Sequence, residues 1–378
     1  MTATDDASTF ERAKTLFATG LAALREGDPH AAEEKFLASL ALLPNRPSTL
    51  INLSAARAAL GKTAAALLTL DQALALEPKA VDAWVQRGQL LQALGRPLDA
   101  LAAYDKALGI DPCCAPACSQ RGGILKDLGR LGEAAACFRQ ALALGADPLL
   151  NGFFLASAAG TQAPSTAPRA YVEGLFDSYA DDFDAHLVGD LHYEAPQNLV
   201  ALLPPARRWG DALDLGCGTG LMAPVLCPRV AALDGVDMSS RMLERARARN
   251  LYRTLAHSDL SDYLTSCAQH YELVVAADVF IYVGDLAAVF KAIWAVLLPG
   301  GQFAFTLEVC TQAEGFVLLP SSRYAHSRAY VQGLAQAHGF TVLAWQTQPV
   351  RHEQDRPIPG HFVLLAKGGA AVRWGASH

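Results

Sequence analysis

The sequence predicts an α/β domain with a doubly wound sheet in its second half, preceded by an all-α array of helical repeats. Residues of the same type recur every 34 positions in the first half. Further on, a glycine-rich turn from Gly216 to Gly220 joins an apolar strand to a helix, and strands ending in acidic residues alternate with helices after it. With 378 residues, the chain is long enough to give each domain its own core.

Composition and charge exclude several classes of protein. The net charge of −6 gives no support for a broad nucleic-acid surface, and no uncharged apolar stretch reaches the ~18 residues of a membrane helix. The first residues do not resemble a signal peptide, so we expect a cytoplasmic protein with reduced cysteines. Cys113, Cys114 and Cys118 cluster, but the second pair of a zinc site is missing, so no metal is expected.

Four repeats are predicted from three prolines that lie 34 residues apart, Pro44, Pro78 and Pro112. These residues resemble the tetratricopeptide consensus, which implies two packed helices in each repeat. The clearest repeat has its consensus residues at Trp84, Gly88, Leu91, Ala100, Tyr104, Ala107 and Pro112. The predicted units are 13–46, 47–80, 81–114 and 115–148, followed by a capping helix at 149–159.

The repeat domain, 13–160, ends at a predicted linker, 161–168, where proline, serine and threonine accumulate. One column of the inner groove is predicted to contain Ala18, Asn52, Gln86 and Gln120. Its amide side chains are able to pair with an extended peptide. A peptide or protein partner is one interpretation of this column, and a purely architectural role is the other.

Acidic residues at the strand ends predict a nucleotide-like ligand. Asp214 precedes the glycine turn and Asp237 follows 237 − 214 = 23 residues later, where a ribose-binding carboxylate is expected on the next strand. The motif resembles the acidic-x-Gly-x-Gly-x-Gly motif of class I S-adenosylmethionine-dependent methyltransferases, which is matched by Asp214, Gly216, Gly218 and Gly220.

The resemblance implies a Rossmann-like, seven-stranded methyltransferase domain at 169–367, with S-adenosylmethionine as cofactor. It implies that the glycine loop holds the methionine part of the cofactor, that Asp237 binds the ribose, and that Asp259 binds the adenine amino group. The predicted cofactor-binding residues are Asp214, Gly216, Cys217, Gly218, Gly220, Asp237, Met238, Asp259, Leu260, Asp278 and Tyr179.

A helical lid is predicted at 169–205, because Tyr179 and Phe183 recur on one helix face. The string FDSYADDFD resembles the N-terminal helix of many small-molecule methyltransferases, which implies that Tyr179 shields the cofactor from water. The alternative is a helix that only packs on the sheet. Tyr193 and His192 follow the lid helix and are predicted to reach the acceptor.

Polar residues in two later stretches predict the rest of the acceptor site. His326 and Tyr324 are the candidate catalytic bases. The competing interpretation is that Ser327, beside them, caps the next helix. The predicted acceptor-binding residues are Tyr193, His192, Arg323, Glu308 and Arg351, and the two arginines favour an anionic acceptor.

The whole set resembles a bacterial family of predicted methyltransferases that carry tetratricopeptide repeats. The sequence therefore predicts methyl transfer from S-adenosylmethionine to a small, anionic acceptor, with the repeats used for assembly or partner binding. Two alternatives remain: a protein or peptide substrate held in the repeat groove, and a non-catalytic scaffold.

Overall fold

The computed structural model describes residues 3–311, 314–353 and 356–368, and the chain divides into two compact units. The first unit ends at Ala159 and the second begins at Gly160. Across the described ranges, no helix has the length and apolar character needed to cross a bilayer.

The described part of the first unit consists of nine helices. They are α1 (Ala3–Arg25), α2 (Pro29–Leu42), α3 (Pro47–Ala59), α4 (Thr63–Leu76), α5 (Val81–Ala93), α6 (Pro97–Ile110), α7 (Ala115–Asp127), α8 (Leu131–Ala143) and α9 (Pro148–Ala159). Helices α2, α4 and α6 each end two residues before one of the recurring prolines, because proline cannot continue the helical hydrogen bonding.

Glycine–aromatic contacts explain the repeat pattern. A Cβ at Gly88 would stand 2.5 Å from the ring of Tyr104, and one at Gly122 would stand 2.8 Å from the ring of Phe138. The two helices of a repeat therefore cross where only glycine fits, and the aromatic ring fills the space that glycine leaves. Unit 47–80 departs from this pattern in both residues.

In that unit Ser54 takes the place of the glycine and Leu70 takes the place of the aromatic residue. The Ser54 hydroxyl donates a hydrogen bond of 2.8 Å to the carbonyl of Ala66 in the partner helix. The smaller Leu70 is fully buried beside it. The larger Ser54 and the smaller Leu70 thus compensate each other in volume, so the two helices of this unit pack without the consensus residues.

The second unit is built on one mixed sheet. Its strands are β1 (Trp209–Leu215), β2 (Val230–Asp237), β3 (Thr254–His257), β4 (Tyr271–Ala276), β5 (Leu297–Val309), β6 (Phe316–Leu318), β7 (Tyr324–His326), β8 (Phe340–Glu353) and β9 (Arg356–Lys367). Strands β3-β2-β1-β4-β5 are parallel neighbours, β9 lies antiparallel to β5, and β8 pairs with β9.

These seven strands match the predicted number, but the described residues form nine. The two extra strands form a hairpin that includes Tyr324 and His326: β7 pairs with the end of β5, and β6 pairs with β7. The hairpin forms there because β5 extends beyond β4, whose last residue Ala276 pairs with Phe305, and this leaves backbone groups at the end of β5 available for pairing.

Helices cover the sheet and complete the second unit. They are α10 (Arg169–Tyr179), α11 (Ala195–Ala201), α12 (Ala223–Leu226), α13 (Ser240–Ala248), α14 (Leu260–Ser266), α15 (Ala287–Val296) and α16 (Arg328–Ala337). A π-helical turn occupies Ala185–Asp190. Because β1 to β4 run parallel, their carboxyl ends meet at one edge, where ligands bind in such sheets.

Candidate functional site

A cavity of about 650 Å³ opens at the carboxyl ends of the parallel strands. Its walls come from the glycine loop after β1, the strand ends of β2 and β4, the turn after β3, and the segment around α10. Residues 165–167, predicted as part of the linker, also line it. Backbone bonds hold them there: the Ala167 N–H donates to the Tyr282 carbonyl at 2.9 Å.

The glycine loop needs its glycines for different reasons. Gly216 has φ +62°, and a Cβ there would stand 2.6 Å from Val279. Gly218 has φ +53° and nothing within 4 Å of a Cβ position. The first glycine allows close packing against the loop after β4, and the second leaves the backbone open to a ligand.

Asp237 is the partly buried carboxylate beside this loop. Its oxygens accept hydrogen bonds of 2.8 Å from the backbone N–H groups of Gly218 and Ser239. Burial raises the pKa of Asp237, and the backbone N–H donors oppose that rise. The geometry fixes the carboxylate at the cavity wall, where the ribose was predicted to bind.

Asp259 lies at the other end of the cavity and caps α14 by accepting from the Ser261 N–H at 2.8 Å. Arg169, at the start of α10, lies 3.3 Å from Asp259 and forms a 2.7 Å ion pair with Asp262. The helix that covers the cavity is thus tied to the turn predicted to bind adenine. Leu260 lines the same part of the cavity.

We call residues 169–187 the cover segment. Three of its carboxylates, Asp177, Asp181 and Asp184, point away from the cavity and bind the α13 region and the glycine loop. Asp177 accepts from the Ser239 hydroxyl at 2.5 Å, and Asp181 pairs with Arg241 and, at 2.6 Å, with Arg245. Asp184 accepts from the Thr219 hydroxyl and pairs with Arg249.

The sequence analysis missed these ion pairs between the cover segment and the α13 region, although their pattern is visible in the sequence. Carboxylates at 177, 181 and 184 and arginines at 241, 245 and 249 each follow the spacing of one helix face. The two rows fit because α10 and α13 run beside each other over the same edge of the sheet.

The inner side of the cover segment is aromatic. The Phe176 ring lies 5.5 Å from that of Tyr282, and the Tyr179 ring lies 5.4 Å from that of Phe183. All four line the cavity, as does Tyr193. Burial raises the pKa of Tyr193 well above its usual value, so this phenol stays neutral. These rings form an aromatic wall on one side of the cavity.

Arg351, predicted to bind an anionic acceptor, is surrounded by carboxylates of the protein. It is only 2% exposed and pairs with Asp278 at 2.8 Å, with Glu308, and with Glu353 at 2.8 Å. Arg323 also pairs with Glu353. Two guanidinium groups face three carboxylates, a formal charge of 2 − 3 = −1. This charge balance argues against the anion-binding role predicted for the two arginines.

Asp278 follows β4 with φ +62°, a conformation uncommon for residues other than glycine. The Thr306 hydroxyl accepts from its N–H at 2.7 Å, and Arg351 binds both carboxylate oxygens. A strained backbone that is held from two sides often marks a functional position. Asp278 lines the cavity, as predicted.

His326 and Tyr324, the predicted bases, do not line the cavity. Both are fully buried in β7: the His326 Nε2–H donates to the Gly284 carbonyl at 2.9 Å, and the Tyr324 hydroxyl donates to the Pro164 carbonyl at 2.8 Å. Burial lowers the pKa of His326 to about 4. This placement argues against a catalytic role. Ser327 caps α16, accepting from the Tyr330 N–H at 3.2 Å, as the competing interpretation proposed.

The other predicted residues divide into two groups. The cavity is lined by Asp214, Gly216, Cys217, Gly218, Asp237, Met238, Asp259, Leu260, Asp278, Tyr179, Tyr193, Arg323 and Arg351. Outside the lining lie Gly220, His192, Glu308, Tyr324 and His326. Gly220 shapes the turn with φ +85°, and His192 contacts the ring of His352 at 5.8 Å. One lining residue, His186, gave no signal in the sequence.

The sequence around the cavity matches a known family. A family model described as "Methyltransferase domain" matches residues 212–301, which include the glycine loop and the acidic strand ends. Residues 212–301 are a methyltransferase domain. Models described as "Tetratricopeptide repeat" match 52–112 and 115–146. These matches confirm the predicted fold class and repeat type, and they agree with S-adenosylmethionine as the cofactor.

Similar proteins share parts of the methyltransferase domain. The chain is 32% identical over 98 residues to "Ubiquinone biosynthesis O-methyltransferase" of Vibrio vulnificus, covering 25% of this chain and 42% of that protein. It is 41% identical over 87 residues to "Methyltransferase-like protein 27" of Homo sapiens, covering 22% and 35%. The chain thus spans less than half of the length of these curated relatives.

Among solved structures, magnesium protoporphyrin IX methyltransferase from Synechocystis PCC 6803 with bound SAH aligns with a TM-score of 0.43 and 17% identity. The alignment covers 53% of this chain and 99% of that one.

Proposed function

We propose that the second unit transfers a methyl group from S-adenosylmethionine to a small acceptor. One observation carries this proposal: the Asp237 carboxylate lines the cavity and is oriented by the N–H groups of Gly218 and Ser239. An ionised carboxylate offers about four acceptor sites, so both oxygens retain capacity for the two hydroxyl groups of a ribose.

The residues present fit this cofactor. The open space at Gly218 lets a ligand approach the backbone of the loop, where the methionine part would lie. Asp237 would hold the ribose, and Asp259 with Leu260 would hold the adenine. S-adenosylmethionine, when bound, supplies an electrophilic methyl group on a sulfonium.

The chain itself contributes alignment and exclusion of water, through which the barrier to an in-line displacement falls. Tyr179 and Phe183 close the cavity from the side of the cover segment. Tyr193, which stays neutral, and Asp278 are the polar groups that would orient the acceptor. Arg351 is not part of the proposed acceptor site, because its positive charge is neutralised by carboxylates of the protein.

Binding of S-adenosylhomocysteine, measured by titration calorimetry, tests the proposal. Each charge-assisted hydrogen bond from a ribose hydroxyl to Asp237 is worth ~1.5–3 kcal/mol, so Asp237→Asn should weaken binding at least about tenfold. Asp211→Asn is the matched control, because Asp211 lies on β1 outside the cavity and pairs with Arg253. A folded wild-type protein that does not bind S-adenosylhomocysteine, or equal binding by Asp237→Asn, would overturn the proposal.

A protein or peptide acceptor held by the repeats is the second candidate. Tetratricopeptide repeats suggest protein interaction, and the Gln86 Oε1 atom in the predicted groove column is buried with no partner among the described residues. Asn52, in contrast, donates to the carbonyl of Ser48 in its own helix. Incubation of the enzyme with cell extract and methyl-tritiated S-adenosylmethionine separates the candidates. Label in low-mass products supports the small acceptor, and label in protein bands supports the peptide groove.

A further inference from the structure

Two polar atoms in the cavity have no hydrogen-bond partner in the part of the chain that the structure describes. The Tyr179 hydroxyl and the His186 Nδ1 atom are buried without a hydrogen bond to any described residue, and both residues line the cavity. Their rings contact each other at 5.5 Å between centroids. Buried polar groups are almost always hydrogen-bonded in folded proteins, so two neighbouring ones without partners indicate a place for a ligand atom.

The position of this pair is fixed by the chain around it. Asp181 and Asp184, which lie between Tyr179 and His186 in the sequence, bind α13 arginines and the glycine loop on the outer side of the cover segment. His186 also lies in the π-helical turn, a distortion that is frequent at functional sites. Tyr179 and His186 are therefore presented to the cavity at the side of the glycine loop.

We propose that Tyr179 and His186 bind a carboxylate group of a ligand. This proposal rests on the methyl transfer proposed above. A phenol and an imidazole are both able to donate, and a carboxylate is the common group that only accepts. The carboxylates of Asp214 and Asp237 line the same cavity, so a ligand carboxylate needs local donors to be tolerated there.

Two ligands could supply this carboxylate: the cofactor, through its methionine part, or the methyl acceptor. Calorimetry with S-adenosylhomocysteine and with 5′-methylthioadenosine, which lacks the amino-carboxylate, distinguishes them. The variants are Tyr179→Phe and His186→Phe, which keep the rings. His352→Phe is the control, because His352 also has a buried Nδ1 atom without a partner among the described residues but does not line the cavity.

If the cofactor is the source, each variant weakens S-adenosylhomocysteine about tenfold, the typical loss for a hydrogen bond to a charged group. Binding of 5′-methylthioadenosine then changes less than about twofold, and His352→Phe binds both ligands like the wild type. If the acceptor is the source, binding of S-adenosylhomocysteine is unchanged. Benzoate then binds to the S-adenosylhomocysteine complex of the wild type and not to the same complex of the variants.

Two results would overturn the carboxylate site: unchanged binding of both S-adenosylhomocysteine and benzoate in both variants, or equal loss for S-adenosylhomocysteine and 5′-methylthioadenosine. A wild-type protein that binds no S-adenosylhomocysteine contradicts the proposed function instead, and the benzoate titration of the free protein then decides on the site. Circular dichroism spectra and melting temperatures matching the wild type confirm that the variants fold.

Discussion

Arg351 provides a direct test of whether this arginine stabilises the sheet edge or binds a ligand. Its guanidinium group is 2% exposed and contacts Asp278, Glu308 and Glu353. Arg351→Met keeps most of the side-chain length but removes the charge and the donors. It leaves the three carboxylates without their shared cation.

The expected loss follows from burial. Removing one partner of a buried ion pair costs ~3–5 kcal/mol, because the remaining charge is left uncompensated. For a unit of this size, 1 kcal/mol corresponds to roughly 2–4 °C in melting temperature. We therefore expect Arg351→Met to melt about 6–20 °C below the wild type. Arg356→Met is the matched control, since Arg356 is exposed on the same hairpin.

The pH dependence gives a second readout of the same variant. Burial raises the pKa of Glu308, and Arg351 lowers it. Without the arginine, the folded state binds a proton more tightly than the unfolded state does, so lowering the pH from 7 to 5 should recover part of the lost stability.

Thermal unfolding and hydrogen exchange of the β8–β9 amides measure both effects. An Arg351→Met protein that melts within about 2 °C of the wild type, with no gain at low pH, would refute the structural role and restore Arg351 as a ligand-binding candidate.

Two further predictions concern a repeat and a buried imidazole. Gly122→Ala should be ~1–3 kcal/mol less stable than Gly123→Ala in urea unfolding, because a Cβ at 122 meets Phe138 at 2.8 Å while one at 123 meets nothing within 4 Å; equal stability contradicts the crossing argument. The pKa of His326, lowered from 6.5 to about 4, means that the unfolded state binds the proton first, so stability falls as the pH drops from 6.5 to 4. His326→Gln should flatten that part of the melting profile, and an unchanged slope contradicts it.

The repeats and the strand ends that line the predicted cofactor site could be predicted, because each is marked by a local sequence pattern. The 34-residue period places each small residue opposite its large partner, and only unit 47–80 hides this pairing behind Ser54 and Leu70. The acidic strand ends are equally readable, since parallel strands bring Asp237 and Asp278 to one edge whatever the helices between them do.

Only part of the acceptor side could be predicted, because the rest depends on contacts between distant residues. Arg351 forms ion pairs with Asp278 and Glu308, which lie 73 and 43 residues earlier in the chain, and no local sequence pattern predicts these pairings. His326 was misjudged for a related reason. Its stretch pairs with the end of β5, and this pairing turns the imidazole towards the Gly284 carbonyl and away from the cavity.

The cover segment carries both the contacts that attach it to the domain and groups that face the cavity. Its outer carboxylates fix it to α13 and the glycine loop, and its inner side carries the aromatic rings and the polar atoms of Tyr179 and His186. The hairpin of β6 and β7, in contrast, keeps Tyr324 and His326 buried. Since a residue that selects the acceptor must face the cavity, we expect exchange of the inner residues of the cover segment to change acceptor preference more than exchange of any residue in β7.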